Sequence, residues 1–162
     1  MRKNSVHTAI SKWINSIEKG QIRSLSRAIT LVESTCIEDQ NQARDLLEGA
    51  LKRLNKTGHT PTIRVGISGP PGVGKSSYIE SLGMHLLSLG FRVCVLAVDP
   101  SSRVSGGSIL GDKIRMERLS TQVNAFIRPS PSQQVLGGVT HATQSIMSLC
   151  ELAGYTVILI ET

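Results

Sequence analysis

The sequence predicts an α/β protein, with a mostly parallel sheet covered by helices and a helical N-terminal extension before it. Two observations carry this prediction. Residues 69–76 read Gly-Pro-Pro-Gly-Val-Gly-Lys-Ser, which fits the phosphate-loop pattern G-x-x-x-x-G-K-[ST]. An apolar run precedes this loop and a helical pattern follows it. That order of strand, loop and helix is typical of the P-loop NTPase fold.

Residues 1–60 are predicted to form the helical extension. Apolar residues recur every three or four positions from His7 to about Lys56, and the predicted breaks lie at Gly20 and at residues 34–40. Residues 56–61, Lys-Thr-Gly-His-Thr-Pro, have the composition of a turn-rich linker. The predicted boundary therefore lies between residues 60 and 61, and residues 61–162 are assigned to the P-loop domain.

Within residues 61–162, residues 62–68 are predicted to form a short buried strand. The helix after Lys75 carries Ile79, Leu82, Leu86 and Leu89 on one face, and Gly90 ends it. Residues 92–98 form a continuous apolar run, which is typical of a parallel strand covered on both faces. Further predictions are strands at 124–128 and 155–160 and an amphipathic helix at 135–153. Because the sequence ends on a predicted central strand, we expect an incomplete domain.

The phosphate loop predicts the chemistry of its own residues. Its glycines let the backbone approach phosphate oxygens, and Pro70 and Pro71 stiffen its entry. Lys75 is expected to reach the β- and γ-phosphates as a catalytic cation, and the hydroxyl of Ser76 is expected to bind Mg²⁺. Ser77 adds a candidate phosphate contact. The predicted nucleotide-binding residues are Gly69, Pro70, Pro71, Gly72, Val73, Gly74, Lys75, Ser76 and Ser77.

Three carboxylates and one arginine are further candidates. Asp99 and Glu161 each follow a predicted strand, so both are expected beside the loop as Mg²⁺ ligands. Asp112, a candidate metal ligand and catalytic residue, and Arg115, a candidate for stabilising transition-state charge, lie in the long polar segment after Asp99. Each of these residues also has a structural alternative. Asp99 could form a turn with Pro100, and Asp112 could be the N-cap of a helix. Arg115 could be a solvated surface residue, and Glu161 could be a polar residue that ends a strand.

Composition excludes several other classes. The 162 residues carry a net charge of +6 but only 3% aromatic residues, so the sequence lacks the stacking side chains of a nucleic-acid-binding surface. No apolar run approaches the roughly 20 residues of a membrane-spanning helix. Neither a nucleic acid nor a membrane is therefore predicted as a partner.

The residues also resemble a known family, the MeaB/ArgK group of P-loop GTPases. The resemblance covers most of the chain from about residue 22 onward and rests on several motifs besides the phosphate loop. Among them are Leu-Ala-Val-Asp-Pro-Ser-Ser at 96–102, Gly-Gly-Ser-Ile-Leu-Gly-Asp-Lys at 106–113 and Phe-Ile-Arg-Pro-Ser-Pro at 126–131. The remaining matching stretches are 28–34, 65–76, 136–139 and 153–162.

The resemblance implies a GTPase that uses GTP and Mg²⁺ and acts as a chaperone of adenosylcobalamin-dependent methylmalonyl-CoA mutase, in cofactor loading and protection. It also implies Asp99, Asp112 and Glu161 as the carboxylates on the Mg²⁺ side. A homodimer is implied for a full-length form, in the mitochondrial matrix of a eukaryote or the cytoplasm of a bacterium. The family's Asn-Lys-x-Asp guanine-reading motif is not among these 162 residues. Two alternatives therefore stay open: an ATP-dependent small-molecule kinase, or a non-catalytic nucleotide-binding fragment.

Overall fold

The computed structural model describes residues 2–57, 61–99, 116–131 and 141–162. These residues fall into two compact units, Met1–Thr60 with His141–Gly154 and Pro61–Thr140 with Tyr155–Thr162. In chain order the elements are α1 (Arg2–Glu18), α2 (Ile22–Glu33), α3 (Ile37–Thr57), β1 (Ile63–Ile67), α4 (Lys75–Ser88), β2 (Val93–Asp99), α5 (Glu117–Ser120), β3 (Ala125–Pro131), α6 (His141–Leu152) and β4 (Val157–Glu161).

The first unit consists of the helices α1, α2, α3 and α6, which pack on one another. Most of their apolar residues at helical spacing are at least partly buried, because a stripe of this period faces a single side of each helix, but Leu51 of the predicted stripe on α3 is 47% exposed. The largest of the fully buried side chains are Ile17, Leu25, Ile29, Leu46, Ile146, Leu149 and Leu152. Gly20, with φ of 73°, lies in the predicted break between α1 and α2.

The second unit is built on a four-stranded sheet in the order β1-β4-β2-β3, and every neighbouring pair is parallel. Helices α4 and α5 cover one face of this sheet, where Ile79, Met116 and Leu119 are fully buried against β2, β3 and β4. The predicted class, a mostly parallel sheet with helices and a helical N-terminus, is therefore confirmed.

Some details of the prediction are wrong in the described part of the chain, and one is the end of β3, which continues to Pro131 instead of ending at Arg128. Strand β1 is not buried: Ile63 is 54% exposed, because β1 lies at the edge of the described sheet and pairs there with β4 alone. Leu89 is 60% exposed rather than part of the buried face of α4. The helix ends at Ser88, and Leu89 is its C-cap. The helical period therefore no longer determines which way the side chain of Leu89 points.

The division into two units agrees with the predicted boundary at one point and differs from it at another. The break between Thr60 and Pro61 separates the N-terminal helices from β1, but α6 groups with those helices although it is distant in sequence. The assignment of residues 61–162 to one P-loop domain remains a prediction. Among the residues that the structure describes, no helix has both the length and the apolar character needed to cross a membrane.

Candidate phosphate and metal site

The phosphate loop lies at the carboxyl end of β1, next to the carboxyl end of β4. Ile67, the last residue of β1, pairs in register with Glu161, the last residue of β4. The backbone N–H of Thr162 donates to the carbonyl oxygen of Ile67 at 3.0 Å. The loop therefore begins beside Glu161, at the sheet edge where open α/β proteins bind ligands.

Two of the loop glycines adopt a backbone conformation that other residues rarely reach. Gly72 has φ of 80° and Gly74 has φ of 95°, and a Cβ added at either would meet no atom within 4 Å. These two residues have no side chain, and the space that a side chain would occupy is empty. Such a strip of bare backbone is what a closely approaching phosphate requires.

Helix α4 starts directly after the loop, and its N-cap residue contributes no side chain to its first N–H groups. Gly74 is the N-cap and has no side chain to offer, and the first turn holds no acidic residue. The first N–H groups of a helix have no partner within the helix and carry partial positive charge. The start of α4 is therefore suited to an anion.

The ammonium group of Lys75 lies folded over the loop. Its Nζ donates to the carbonyl oxygen of Gly69 at 2.7 Å and to that of Pro70 at 3.2 Å. These two acceptors were not predicted, because the motif specifies the lysine but not its partners in the ligand-free loop. Lys75 is thus held at the loop, with a positive charge beside the bare backbone.

Ser76 and Glu161, both predicted as metal ligands, are brought together. Ser76 Oγ donates to Glu161 Oε1 at 2.8 Å. The other carboxylate oxygen, Glu161 Oε2, is buried and has no hydrogen-bond partner in the described structure. A buried carboxylate oxygen without a donor is costly unless a cation or water satisfies it.

These atoms fit the metal that the sequence predicts. Mg²⁺ prefers oxygen ligands and binds proteins through few groups, and the hydroxyl of Ser76 and the carboxylate of Glu161 are both of that kind. Asp99 ends β2 two residues after Ala97, which pairs with Glu161, so its backbone lies at the same edge. No group of three or more His, Cys, Asp and Glu side chains suited to a metal occurs among the described residues.

The remaining predicted site residues differ in what the structure says of them. Pro70, Pro71 and Val73 are exposed in the loop, and Ser77 is exposed in the first turn of α4. Asp112 and Arg115 lie outside the described residues, so their roles remain predictions.

One residue near the site was missed by the sequence analysis. Glu80, four residues after Ser76 on α4, accepts a hydrogen bond from the backbone N–H of Arg118 at 2.8 Å. The spacing to Ser76 was available in the sequence as a signal, because residues four apart share a helix face. The sequence held no signal for its partner Arg118, because 38 positions separate the two residues.

Comparison with known proteins gives consistent results. A family model described as "Methylmalonyl Co-A mutase-associated GTPase MeaB" matches residues 25–162. A probable GTPase of Mycobacterium tuberculosis is 56% identical over 147 residues, which are 91% of this chain and 42% of that protein. The mitochondrial methylmalonic aciduria type A homolog of Mus musculus is 50% identical over 158 residues, which cover 94% of this chain and 38% of the mouse protein.

The GTPase ArgK of Escherichia coli is 43% identical over 153 residues, 94% of this chain and 45% of that protein. A crystal structure titled as a LAO/AO transport system kinase superposes with a TM-score of 0.75 at 34% identity, over 96% of this chain and 43% of that one. The chain thus spans less than half the length of the relatives it matches.

Proposed function

Because the chain belongs to the MeaB family of methylmalonyl-CoA mutase-associated GTPases, we propose that it binds GTP at the phosphate loop and hydrolyses it there. The observation that carries the proposal is the meeting of Ser76 and Glu161, at 2.8 Å, directly beside the glycine loop. A cation-binding hydroxyl, a carboxylate and an anion-binding helix start then serve one ligand, which is the arrangement that phosphoryl transfer needs.

The roles of the loop residues follow from their positions. The bare backbone at Gly72 and Gly74 and the start of α4 bind phosphate oxygens. Lys75 leaves the carbonyl oxygens of Gly69 and Pro70 and turns to the β- and γ-phosphates. Since both carbonyls are in the loop itself, this change needs only rotation of the lysine side chain.

Ser76 and Glu161 would hold Mg²⁺, with Asp99 as a further carboxylate at the same edge of the sheet. The bound ion supplies neutralisation of the charge on the phosphates. Glu161 Oε2, buried without a donor, is the oxygen that gains most from a cation or from water bound to one. Asp112 is proposed as an additional carboxylate and Arg115 as a cation that stabilises transition-state charge.

We extend the proposal to the protein partner. The family description names methylmalonyl-CoA mutase, and the mouse relative is named for methylmalonic aciduria. On that basis the chain, as part of a longer homodimeric protein, acts as a GTP-dependent chaperone of the adenosylcobalamin-dependent mutase. Its compartment then follows its source: the mitochondrial matrix in a eukaryote and the cytoplasm in a bacterium.

Binding of fluorescent GTP and ATP analogues to the chain, with and without Mg²⁺, tests the nucleotide proposal. Lys75→Ala is the loss variant, and Lys52→Ala is its matched control, because Lys52 is an exposed lysine that pairs with Glu48 on α3. We expect Mg²⁺-dependent binding of GTP that Lys75→Ala abolishes and Lys52→Ala leaves unchanged.

Other outcomes would contradict parts of the proposal. Preferential binding of ATP would favour the small-molecule kinase, an alternative that the likeness to the LAO/AO transport system kinase also supports. Binding without any release of inorganic phosphate would favour a non-catalytic nucleotide-binding fragment. Equal binding by Lys75→Ala would mean that the nucleotide lies elsewhere.

The partner is tested separately with purified methylmalonyl-CoA mutase. Isothermal titration calorimetry with the longer natural protein, in GTP, GDP and no nucleotide, is expected to give an affinity that depends on the nucleotide. An affinity that is the same in all three conditions would contradict a GTP-dependent chaperone while leaving nucleotide binding intact.

A further inference from the structure

Three residues on one face of α4 contact two other elements of the second unit, β4 and α5. Ser76, Glu80 and Gly83 follow one another at spacings of four and three, which places them on the same side of the helix. Ser76 reaches Glu161 on β4, and Glu80 reaches the backbone of Arg118 on α5. Gly83 lies against the side chain of Leu119.

The contact at Glu80 supplies an acceptor for the start of α5 that the N-cap residue Met116 does not supply. The first N–H groups of a helix have no intrahelical acceptor, and Met116, the N-cap of α5, offers no side-chain acceptor. Glu80 Oε1 accepts from the N–H of Arg118 at 2.8 Å.

Helix α5 is itself fixed in the core, so it provides an anchored point for Glu80. Met116 and Leu119 are fully buried together with Ile79 of α4. The two helices approach so closely that a Cβ at Gly83 would lie 2.7 Å from Leu119 Cδ2. The acceptor on α4 is therefore tied to a donor that cannot move freely.

We infer that Glu80 is a positioning residue for Ser76: by binding the start of α5, it sets the rotation of α4 that aims the Ser76 hydroxyl at the predicted metal site. This inference rests on the proposed nucleotide function. Glu80 lies about 6 Å along the helix axis from Ser76, roughly one turn. A restraint so close to Ser76 limits how far the first turn of α4 rotates or frays.

Four variants separate this role from a general effect on stability. Glu80→Ala removes the acceptor, whereas Glu80→Gln keeps an oxygen acceptor and removes the charge. Glu48→Ala is the surface control, because Glu48 is an exposed helical glutamate that pairs with Lys52. Val157→Ala creates a cavity in the same core but leaves Glu80 in place, so it controls for lost stability.

The first readout is the affinity for fluorescent GTP with Mg²⁺, at a temperature where every variant is folded. We expect Glu80→Ala to weaken it by about threefold to tenfold, the size of one net hydrogen bond. Glu80→Gln, Glu48→Ala and Val157→Ala are expected to stay within about twofold of the parent chain.

The second readout needs no nucleotide: amide hydrogen exchange, measured by NMR in the ligand-free chain, of Tyr78, whose N–H donates to the carbonyl oxygen of Gly74 at 2.9 Å in the first turn of α4. Glu80→Ala is expected to speed exchange there, and Glu80→Gln to restore the parent rate. Unchanged exchange in Glu80→Ala, or equal effects of the two Glu80 variants, would overturn the inference. So would an equal loss of affinity in Val157→Ala, whereas a parent chain that binds no GTP would refute the proposed function and leave the exchange test standing.

Discussion

Ser76 Oγ, in the first turn of α4, donates a hydrogen bond of 2.8 Å to Glu161 Oε1 at the last residue of β4, 85 positions along the chain. This contact links the phosphate loop to the sheet. It also leaves Glu161 Oε2 as a buried oxygen without a hydrogen-bond partner in the described structure. The following predictions begin with these two side chains.

Replacing Glu161 with glutamine is expected to separate metal binding from folding. The glutamine keeps an oxygen that can accept from Ser76, so the free energy of unfolding should change by less than about 1 kcal/mol. It loses the negative charge that Mg²⁺ prefers, so the Mg²⁺ concentration for half-maximal GTP binding should rise by about tenfold or more. Urea unfolding and Mg²⁺ titrations measure the two effects. Glu38→Gln, at an exposed position on α3, is the control, and an unchanged Mg²⁺ requirement would contradict the prediction.

Replacing Ser76 with alanine is expected to reduce stability even without nucleotide. Glu161 Oε1 then lacks its donor, and we expect a loss of about 1 kcal/mol because this acceptor is partly buried. The matched control is Ser81→Ala, since Ser81 is exposed on the same helix and its hydroxyl donates only to the carbonyl oxygen of Ser77. That control should stay within about 0.5 kcal/mol of the parent chain. Equal unfolding free energies for the two variants in urea would show that the contact contributes nothing to folding.

The loop glycines are expected to respond unequally to alanine. Gly72 and Gly74 have positive φ, so alanine there should cost about 1–2 kcal/mol through backbone strain alone, although space is available. At Gly69 the φ is not positive, and a Cβ would make ordinary contacts, the nearest at 3.5 Å to Val73 Cγ1. Gly69→Ala should therefore keep its stability in denaturant unfolding. Similar losses in all three variants would mean that loop strain does not decide the outcome.

The effect of Gly83→Ala on the free energy of unfolding is expected to depend on the residue at position 119, being destabilising with leucine there and stabilising with alanine. In the parent chain the new Cβ would lie 2.7 Å from Leu119 Cδ2, so overpacking of about 1–3 kcal/mol exceeds the helix gain of about 1 kcal/mol. In a Leu119→Ala background the space is free, and Gly83→Ala should stabilise. A double-mutant cycle in urea measures this coupling. Additive effects in the cycle would refute close packing of the two helices.

Trp13, the single tryptophan of the chain, is expected to stabilise the folded chain through its N–H as well as through its ring. Nε1 donates to the carbonyl oxygen of Ser24 at 3.0 Å, and the guanidinium of Arg27 lies 5.5 Å from the ring centroid. Trp13→Phe should cost about 1 kcal/mol or more, because the partly buried carbonyl loses its donor. Arg27→Ala should cost about 0.5–1 kcal/mol, as for an exposed cation–π contact. Thermal unfolding by circular dichroism compares the two, and a larger loss in Arg27→Ala would reverse the ranking.

Local patterns in the sequence were sufficient for the elements and for the loop. Apolar residues at a helical period predicted the N-terminal helices and α4, and continuous apolar runs predicted β2 and β4, because both signals come from neighbours within one element. The spacing of Gly69, Gly74, Lys75 and Ser76 predicted a phosphate site for the same reason. These residues act together along a few consecutive positions, so their order alone specifies the arrangement.

Local patterns did not predict that β1 and Leu89 are exposed. An apolar strand at a sheet edge and one at its centre have similar sequences, and the strand order decides which of them is covered. A helical period likewise does not say at which residue the helix ends, and Leu89 lies one residue beyond that end.

The sequence by itself therefore determined the fold class, the phosphate loop and the types of side chain around it. It also predicted that Glu161 lies beside the loop as a metal ligand together with Ser76. The tertiary structure alone decided that the Ser76 hydroxyl donates directly to Glu161 Oε1 and that Glu80 accepts from the backbone of Arg118. The physical reason is that both pairs depend on how β4 and α5 pack beside α4. That packing is set by burial of the whole core, and no short stretch of sequence encodes it.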